Sequence, residues 1–242
     1  MGVGLSLTVL GCCGSFPGAG GACSGYLVRS DATTLWVDAG SGTMANLQHH
    51  VGLHDVDGVV LSHEHPDHWS DLEGFRVACA YVLGREGVPV YAPPGFLRLL
   101  YKDFKLAFDW HEVDDGSQVR IGDLDVRFSR TEHGPVTLGM RIDGGGRSLG
   151  YTSDTGPGWS LAALGGGLDL ALSEATYTSQ YEGVSLHLSG RQAGQAAREA
   201  GVGRLLLTHF WPTLRVEDIQ QEAASAFGAP VEIAVQNEEY FI

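Results

Sequence analysis

Basic residues are scarce in this chain: Lys and Arg together number 15 against 29 Asp and Glu, a formal net charge of −14 over 242 residues. Binding along a nucleic-acid backbone requires a basic stripe that releases counterions. The arginines are instead scattered from Arg29 to Arg215, so a long polyanionic partner is disfavoured, while one phosphate at a cationic site is not. Cysteine is sparse as well. Cys12, Cys13, Cys23 and Cys79 are too few and too irregular for a disulfide framework, and their spacing fits no familiar zinc ribbon or finger. No run of about 18 apolar residues offers a membrane span. Residues 1–10 carry no basic n-region, so they read as a first strand rather than a signal peptide, and a cytoplasmic location is expected. Pro/Ser-rich linkers, charge blocks and low-complexity runs are missing too, and residues 1–242 read as one domain.

What the chain has is apolar residues, 43% of the total, and 35 glycines set between short periodic segments where tight turns need them. Alternation and β-branching predict strands at 5–10, 25–30, 33–38 and 56–62, with a helix over 42–51. A helix over about 69–83, a strand at 89–92 and a helix over 94–108 follow. The second half reads as strands at 119–121, 124–131, 136–142 and 148–152, a helix over 158–164 and a strand at 168–173. A helix over 189–200 has Ser189 as N-cap and Gly201 as stop; strand 204–208, helix 216–227 and strand 231–235 complete the chain. Two strand-rich halves with helices outside predict an α/β fold, two sheets packed face to face between helical layers.

The histidines are unevenly placed. His63, His65 and His68 fall within six residues at the end of a predicted buried strand, with Glu64 and Asp67 between them. In an extended turn, residues i and i+2 can chelate one ion while Asp67 and His68, past Pro66, turn towards a second. Pro66 biases His65 to the extended conformation such a loop needs. Four further polar residues sit just past predicted strands: His133, Asp154, Glu174 and His209. Each alone reads equally as a surface or capping residue. Together they supply nitrogen and oxygen ligands for two borderline or hard divalent ions, and the C-terminal ends of strands are where ligands bind.

Ser62-His63-Glu64-His65-Pro66-Asp67-His68 resembles the His-x-His-x-Asp-His motif of the metallo-β-lactamase superfamily, with Ser62 where Thr is usual. The later His, Asp and His motifs follow in the expected order, so the resemblance covers nearly the whole chain. It implies an αββα sandwich and a dinuclear site, with His63, His65 and His133 on one ion and His68, His209 and Asp67 on the other. Asp154 would bridge them. An Asp bridge, where the best-known lactamases have Cys, puts lactam hydrolysis in doubt and favours phosphoesters. Zn, Mn or Fe all suit such a donor set.

Ser173-Glu174-Ala175-Thr176 with His187-Leu188-Ser189 is similar to the paired Glu and His loops of the ribonuclease Z branch. There the Glu orients a His that protonates the leaving alkoxide, while metal-activated water is the nucleophile, oriented here by Asp67. The arm that clamps transfer RNA has no counterpart: only 20 residues separate His133 from Asp154. The chain is similar instead to the small arm-less group of this branch, which includes the atypical class II cyclic-AMP phosphodiesterases of actinobacteria. The matching stretches are Leu7–Cys12, Ser24–Leu27, Leu186–Gly190 and Leu205–His209. The expectation is a homodimeric phosphodiesterase for a small substrate such as a cyclic nucleotide, with Asp67, Glu174 and His187 in catalytic roles. Its rivals are an RNA 3′-processing nuclease, an acyl (thioester or lactone) hydrolase and a binding protein that has lost its metals. Trp69 and Trp211, close after proposed ligands, are candidates for base stacking or for packing against outer helices. The Gly-rich loop 11–24 reads either as a lining of the site mouth or as a plain connection. His49, His50, His54 and His111 are given no role.

Overall fold

A computed structural model describes residues 4–242; residues 1–3, the opening of the segment read as a first strand, lie outside the described residues. The two-residue period of apolar side chains sets the architecture. Along β1 (Ser6–Gly11), Leu7 and Val9 share one face; in β2 (Gly25–Arg29), Tyr26 and Val28 oppose Leu27; in β3 (Thr34–Ala39), Leu35 and Val37 oppose Trp36. Strands apolar on both faces must be covered on both. These three pair antiparallel, and β4 (Gly58–Val60), β5 (Val88–Ala92) and β6 (Phe108–Glu112) add on in parallel.

The second sheet repeats the plan. Strands β7 (Gln118–Ile121), β8 (Leu124–Arg130), β9 (Leu138–Gly144) and β10 (Arg147–Tyr151) pair antiparallel in chain order. Parallel strands β11 (Leu170–Glu174), β12 (Arg204–Thr208) and β13 (Glu232–Ile233) extend it. The last strand, β14 (Glu239–Phe241), crosses back to pair antiparallel with β1, so both sheets have seven strands.

Between the sheets, Leu7, Val9, Val28, Val37 and Val60 meet Val126, Met140, Ile142, Leu149, Leu172 and Leu206. Outside the first sheet, Leu27, Trp36 and Val59 pack under α1 (Thr43–Leu47) and α2 (Leu72–Val77) through Leu47, Leu72 and Phe75. Outside the second, Ala171, Leu205 and Leu207 meet Ala193 and Ala197 of α3 (Gly190–Ala200) and Ile219 and Ala223 of α4 (Val216–Phe227). The fold is the αββα sandwich of the metallo-β-lactamases. Helix α3 lies unusually close to α4: a Cβ on Gly190 or Gly194 would sit 2.2 Å from the carbonyl oxygen of Ile219 or Ala223. Among the described residues no helix is long and apolar enough to cross a membrane.

Four expectations are corrected. The helix over 94–108 is two short 3-10 turns, Phe96–Leu99 and Phe104–Leu106, followed by the edge strand β6. Gly95 at φ 84 starts this stretch and Leu100 leaves it in extended conformation, so no helical turn propagates. The helix over 69–83 starts only at Leu72 and finishes as a π-helical turn, Ala78–Leu83. The helix over 158–164 shrinks to a 3-10 turn, Leu161–Leu164, capped by Ser160. Strand β14 was not expected; its partner lies at the other end of the chain, and no local pattern announces such a pairing.

Candidate metal centre

The sheets run their parallel strands towards one edge, and the loops leaving them meet there. Leaving β4, the chain passes through His63 to His65, which is extended (φ −69, ψ 136) as the following proline requires, then enters a 3-10 turn at Pro66–His68. That turn splits the motif. His63 Nε2 lies 3.1 Å from His65 Nδ1, and His65 Nδ1 lies 3.2 Å from His133 Nε2, beyond β8. Asp154, beyond β10, places Oδ2 3.5 Å from His63 Nε2 and 3.7 Å from His133 Nε2. Its other oxygen, Oδ1, faces a second group: 3.3 Å from His68 Nε2 and 3.4 Å from His209 Nε2, beyond β12. Asp67 Oδ2 completes that group, 3.5 Å from His68 Nε2 and 3.4 Å from His209 Nε2. Two donors about 2.0–2.1 Å from one tetrahedral ion lie roughly 3.3–3.4 Å apart. These separations therefore suit ligands converging on a cation.

Buried polar atoms point the same way. His68 Nε2 and Asp154 Oδ1 are wholly buried and make no hydrogen bond, a state that costs roughly 1–3 kcal/mol per group unless a ligand satisfies it. His63 is held well below the ordinary imidazole range by burial, with His68 adding to the effect, and is thus a neutral donor. In His68, burial opposes the charged form, yet the carboxylates of Asp154, Asp67 and Asp38 raise it well above that range. A proton there compensates the same carboxylates that a divalent cation would. Burial works to raise Asp154 too, but His209, His68 and His63 hold it well below the usual carboxylate range. The donor set fits divalent metal ions.

The second nitrogens of His68, His133 and His209 are each fixed by a partner, which sets the tautomer. Asp38 Oδ2 accepts from His68 Nδ1 at 2.7 Å, from Ser62 Oγ and from Tyr151 OH, and its Oδ1 accepts from the Ser62 amide. His133 Nδ1 donates to the Leu186 carbonyl at 3.0 Å. His209 Nδ1 donates to Thr176 Oγ1, whose proton goes to Glu174 Oε2 at 2.7 Å. Glu174 is completely buried and also accepts from the amides of Thr155 and Leu188. Its Oε1 lies 3.2 Å from His187 Nδ1. Burial opposes charge on His187, but Glu174 outweighs it and raises the imidazole to about 9. His187 stacks on His209, ring centroids 5.2 Å apart, with Nδ1 4.0 Å from Asp154 Oδ2.

All nine residues singled out for metal binding or catalysis are thus gathered at one edge. Glu64 turns away to pair with Arg98 at 2.5 Å. Trp69 packs on Phe96 in the outer layer, while the Trp211 indole reaches Ser15 Oγ at 3.3 Å. Among the described residues, His49, His50, His54 and His111 join no metal-binding group. Asp38 and Thr176 were missed, and the loop 11–24, for which two readings stood open, brings the Ser15 amide to Asp67 Oδ2 at 2.8 Å. Asp38 carried the signal that found Asp154: a carboxylate at a strand end among small residues. Four of the five described non-glycine residues with positive φ, Ser15, Asp38, Ser153 and His209, lie here. Such backbone costs about 1–3 kcal/mol per residue and persists where its surroundings impose it.

A buried imidazole–carboxylate cluster at the strand ends of an αββα sandwich defines a metallo-hydrolase. The chain belongs to the beta-lactamase superfamily: the family model described as a beta-lactamase superfamily domain matches residues 33–210. It is 37% identical to Mycobacterium tuberculosis "Uncharacterized protein Rv1339" over 98% of this chain and 92% of that protein. The "Probable metallo-hydrolase YhfI" of Bacillus subtilis is 33% identical over 95% of this chain and 97% of its own length. The YhfI crystal structure superposes with a TM-score of 0.90 at 30% identity, covering 98% of each chain. Ribonuclease Z of Methanopyrus kandleri is 30% identical over 92% of this chain and 93% of that protein. These relatives place the chain in the ribonuclease Z-like branch.

Proposed function

We propose that the protein is a phosphodiesterase with two divalent metal ions, zinc foremost, acting on a small diester such as a cyclic nucleotide. The observation that carries the reading is His187, fixed through Nδ1 by the buried Glu174 and set 4.0 Å from the carboxylate shared by both donor groups. His63, His65, His133 and Asp154 Oδ2 would hold one ion, and Asp67, His68, His209 and Asp154 Oδ1 the other. When bound, the ions supply Lewis acidity, offsetting phosphoryl charge and acidifying water. The protein's own groups do the rest. Asp67, tethered by the Ser15 amide, accepts a hydrogen bond from the attacking water and orients it. With Nδ1 committed to Glu174, His187 presents Nε2 to the departing oxygen and protonates it. An alkoxide is a poor leaving group, so a poised acid is worth about 10²–10⁴-fold. An acyl hydrolase has less need of it.

His187→Ala is expected to keep its metal content and lose at least about 100-fold in kcat on cyclic AMP. The loss should be far smaller on bis(4-nitrophenyl) phosphate, whose leaving group needs no proton. An unchanged rate on cyclic AMP would remove His187 from the mechanism. The ribonuclease Z relative supports a second reading, RNA 3′-end cleavage. The −14 net charge and the 20 residues between His133 and Asp154 weigh against it, and a gel assay on precursor transfer RNA is expected to show no cleavage.

A further inference from the structure

Only part of the metal centre reaches solvent. His63, His68, Asp154 and His209 are essentially closed off, whereas the side chains of Asp67 and His187 are 10% and 11% exposed and mark the opening. The loop 11–24 forms the Asp67 side of it, pinned at several points. Gly14 N donates to the Phe210 carbonyl and Phe210 N to the Cys12 carbonyl. A Cβ on Gly14 would lie 2.6 Å from the His209 carbonyl oxygen, so only glycine lets the loop rest there. Ser15, at φ 65, gives its amide to Asp67, and its hydroxyl oxygen accepts from the Trp211 indole N–H. Trp211 is braced in turn by Tyr177 and Tyr181 at 5.4 and 5.8 Å.

The next residue is Phe16. The residue is 48% exposed although its backbone is held, with Phe16 N on the Gly14 carbonyl at 2.8 Å. On the His133 side of the centre, Leu186 is 45% exposed while its carbonyl accepts from His133 Nδ1. Donors for cations flanked by exposed apolar side chains on tethered backbone fit a ligand carrying a phosphate and a flat, weakly polar group. We infer that Phe16 is a specificity residue whose ring stacks on the base of a nucleotide while its phosphate occupies the metal centre, an inference that rests on the phosphodiesterase reading. Leu186 closes the other side. Base–aromatic stacking is sequence-tolerant, so the rim accepts purines more readily than it distinguishes between them.

Two probes that differ only in the base, adenosine 5′-monophosphate and ribose 5-phosphate, isolate this contact by titration calorimetry on the metal-loaded protein. The adenosine compound is expected to bind roughly tenfold more tightly, a difference of ~1.4 kcal/mol. Phe16→Ala should collapse that ratio towards one and Phe16→Tyr should keep it, with thermal melting reporting whether each variant is folded. Equal binding of both probes by the wild type, or a ratio that survives Phe16→Ala, overturns the assignment. The catalytic reading is judged separately, on hydrolysis of cyclic AMP: a protein that shows the binding ratio without turnover retains the rim and loses the proposed chemistry.

Discussion

Asp38 shows how much of this site rests on residues that touch no substrate. Its carboxylate gathers His68 Nδ1, Ser62 Oγ, Tyr151 OH and the Ser62 amide, all donors, in a wholly buried position. Four donors around two oxygens require an acceptor on both sides, which an amide cannot provide. In Asp38→Asn the NH2 group must face at least one of them, and the negative charge that raises the basicity of His68 is gone. Losing such a partner typically costs 10–100-fold in metal affinity. A chelator-competition titration of Asp38→Asn with zinc is expected to fall in that range; unchanged affinity would show that His68 is oriented by packing alone. Positive φ collects at Asp38 and His209 for a related cause. Each strand must turn abruptly to deliver its side chain into the cluster, and the hydrogen bonds there offset the backbone strain.

Helices α3 and α4 meet through glycine. Replacing Gly194 by Ala would improve helix propensity by about 1 kcal/mol, yet the added Cβ would come within 2.2 Å of the Ala223 carbonyl oxygen, which is backbone and cannot swing away. Overpacking of that kind costs typically 1–3 kcal/mol and more where backbone must move, so steric conflict decides the sign. Gly194→Ala is expected to lower Tm by about 4–8 °C, a net loss of ~2 kcal/mol at this chain length; an unchanged or raised Tm in a circular-dichroism melt would show that the helices part without cost. The consequence extends to the site, because Ser189 caps α3 and His187 lies two residues before it. Elements with strong local signatures were legible in sequence: β12 and α4 have the predicted bounds, and Ser189 and Gly201 bracket α3. Elements made by distant pairing were not. Strand β6 has a polar, half-exposed alternation and is held by β5, and β14 exists because β1 has a free edge.

At the scale of the molecule, the centre joins the two sheets. The first contributes the loop carrying His63, His65, Asp67 and His68; the second contributes His133, Asp154 and His209. Divalent cations bound there would hold the two halves together and offset the repulsion between Asp67 and Asp154. Stability should therefore be linked to metal. Zinc added to chelator-treated protein at about 100 times its dissociation constant contributes ~2.7 kcal/mol, or a rise in Tm of roughly 5–11 °C. No rise in a melt with zinc against one with EDTA would contradict the centre. The sequence by itself determined the donor inventory and its order, because a strand that ends in His or Asp sets that residue at a sheet edge whatever the rest does. It also determined the acidic balance, which is a property of composition. Only the tertiary structure decided which donors converge in one group, that Asp154 turns one oxygen to each group, and that Asp38, Thr176 and Ser15 hold them in place. Those facts depend on where strands far apart in the chain come to rest, and no local period encodes that distance.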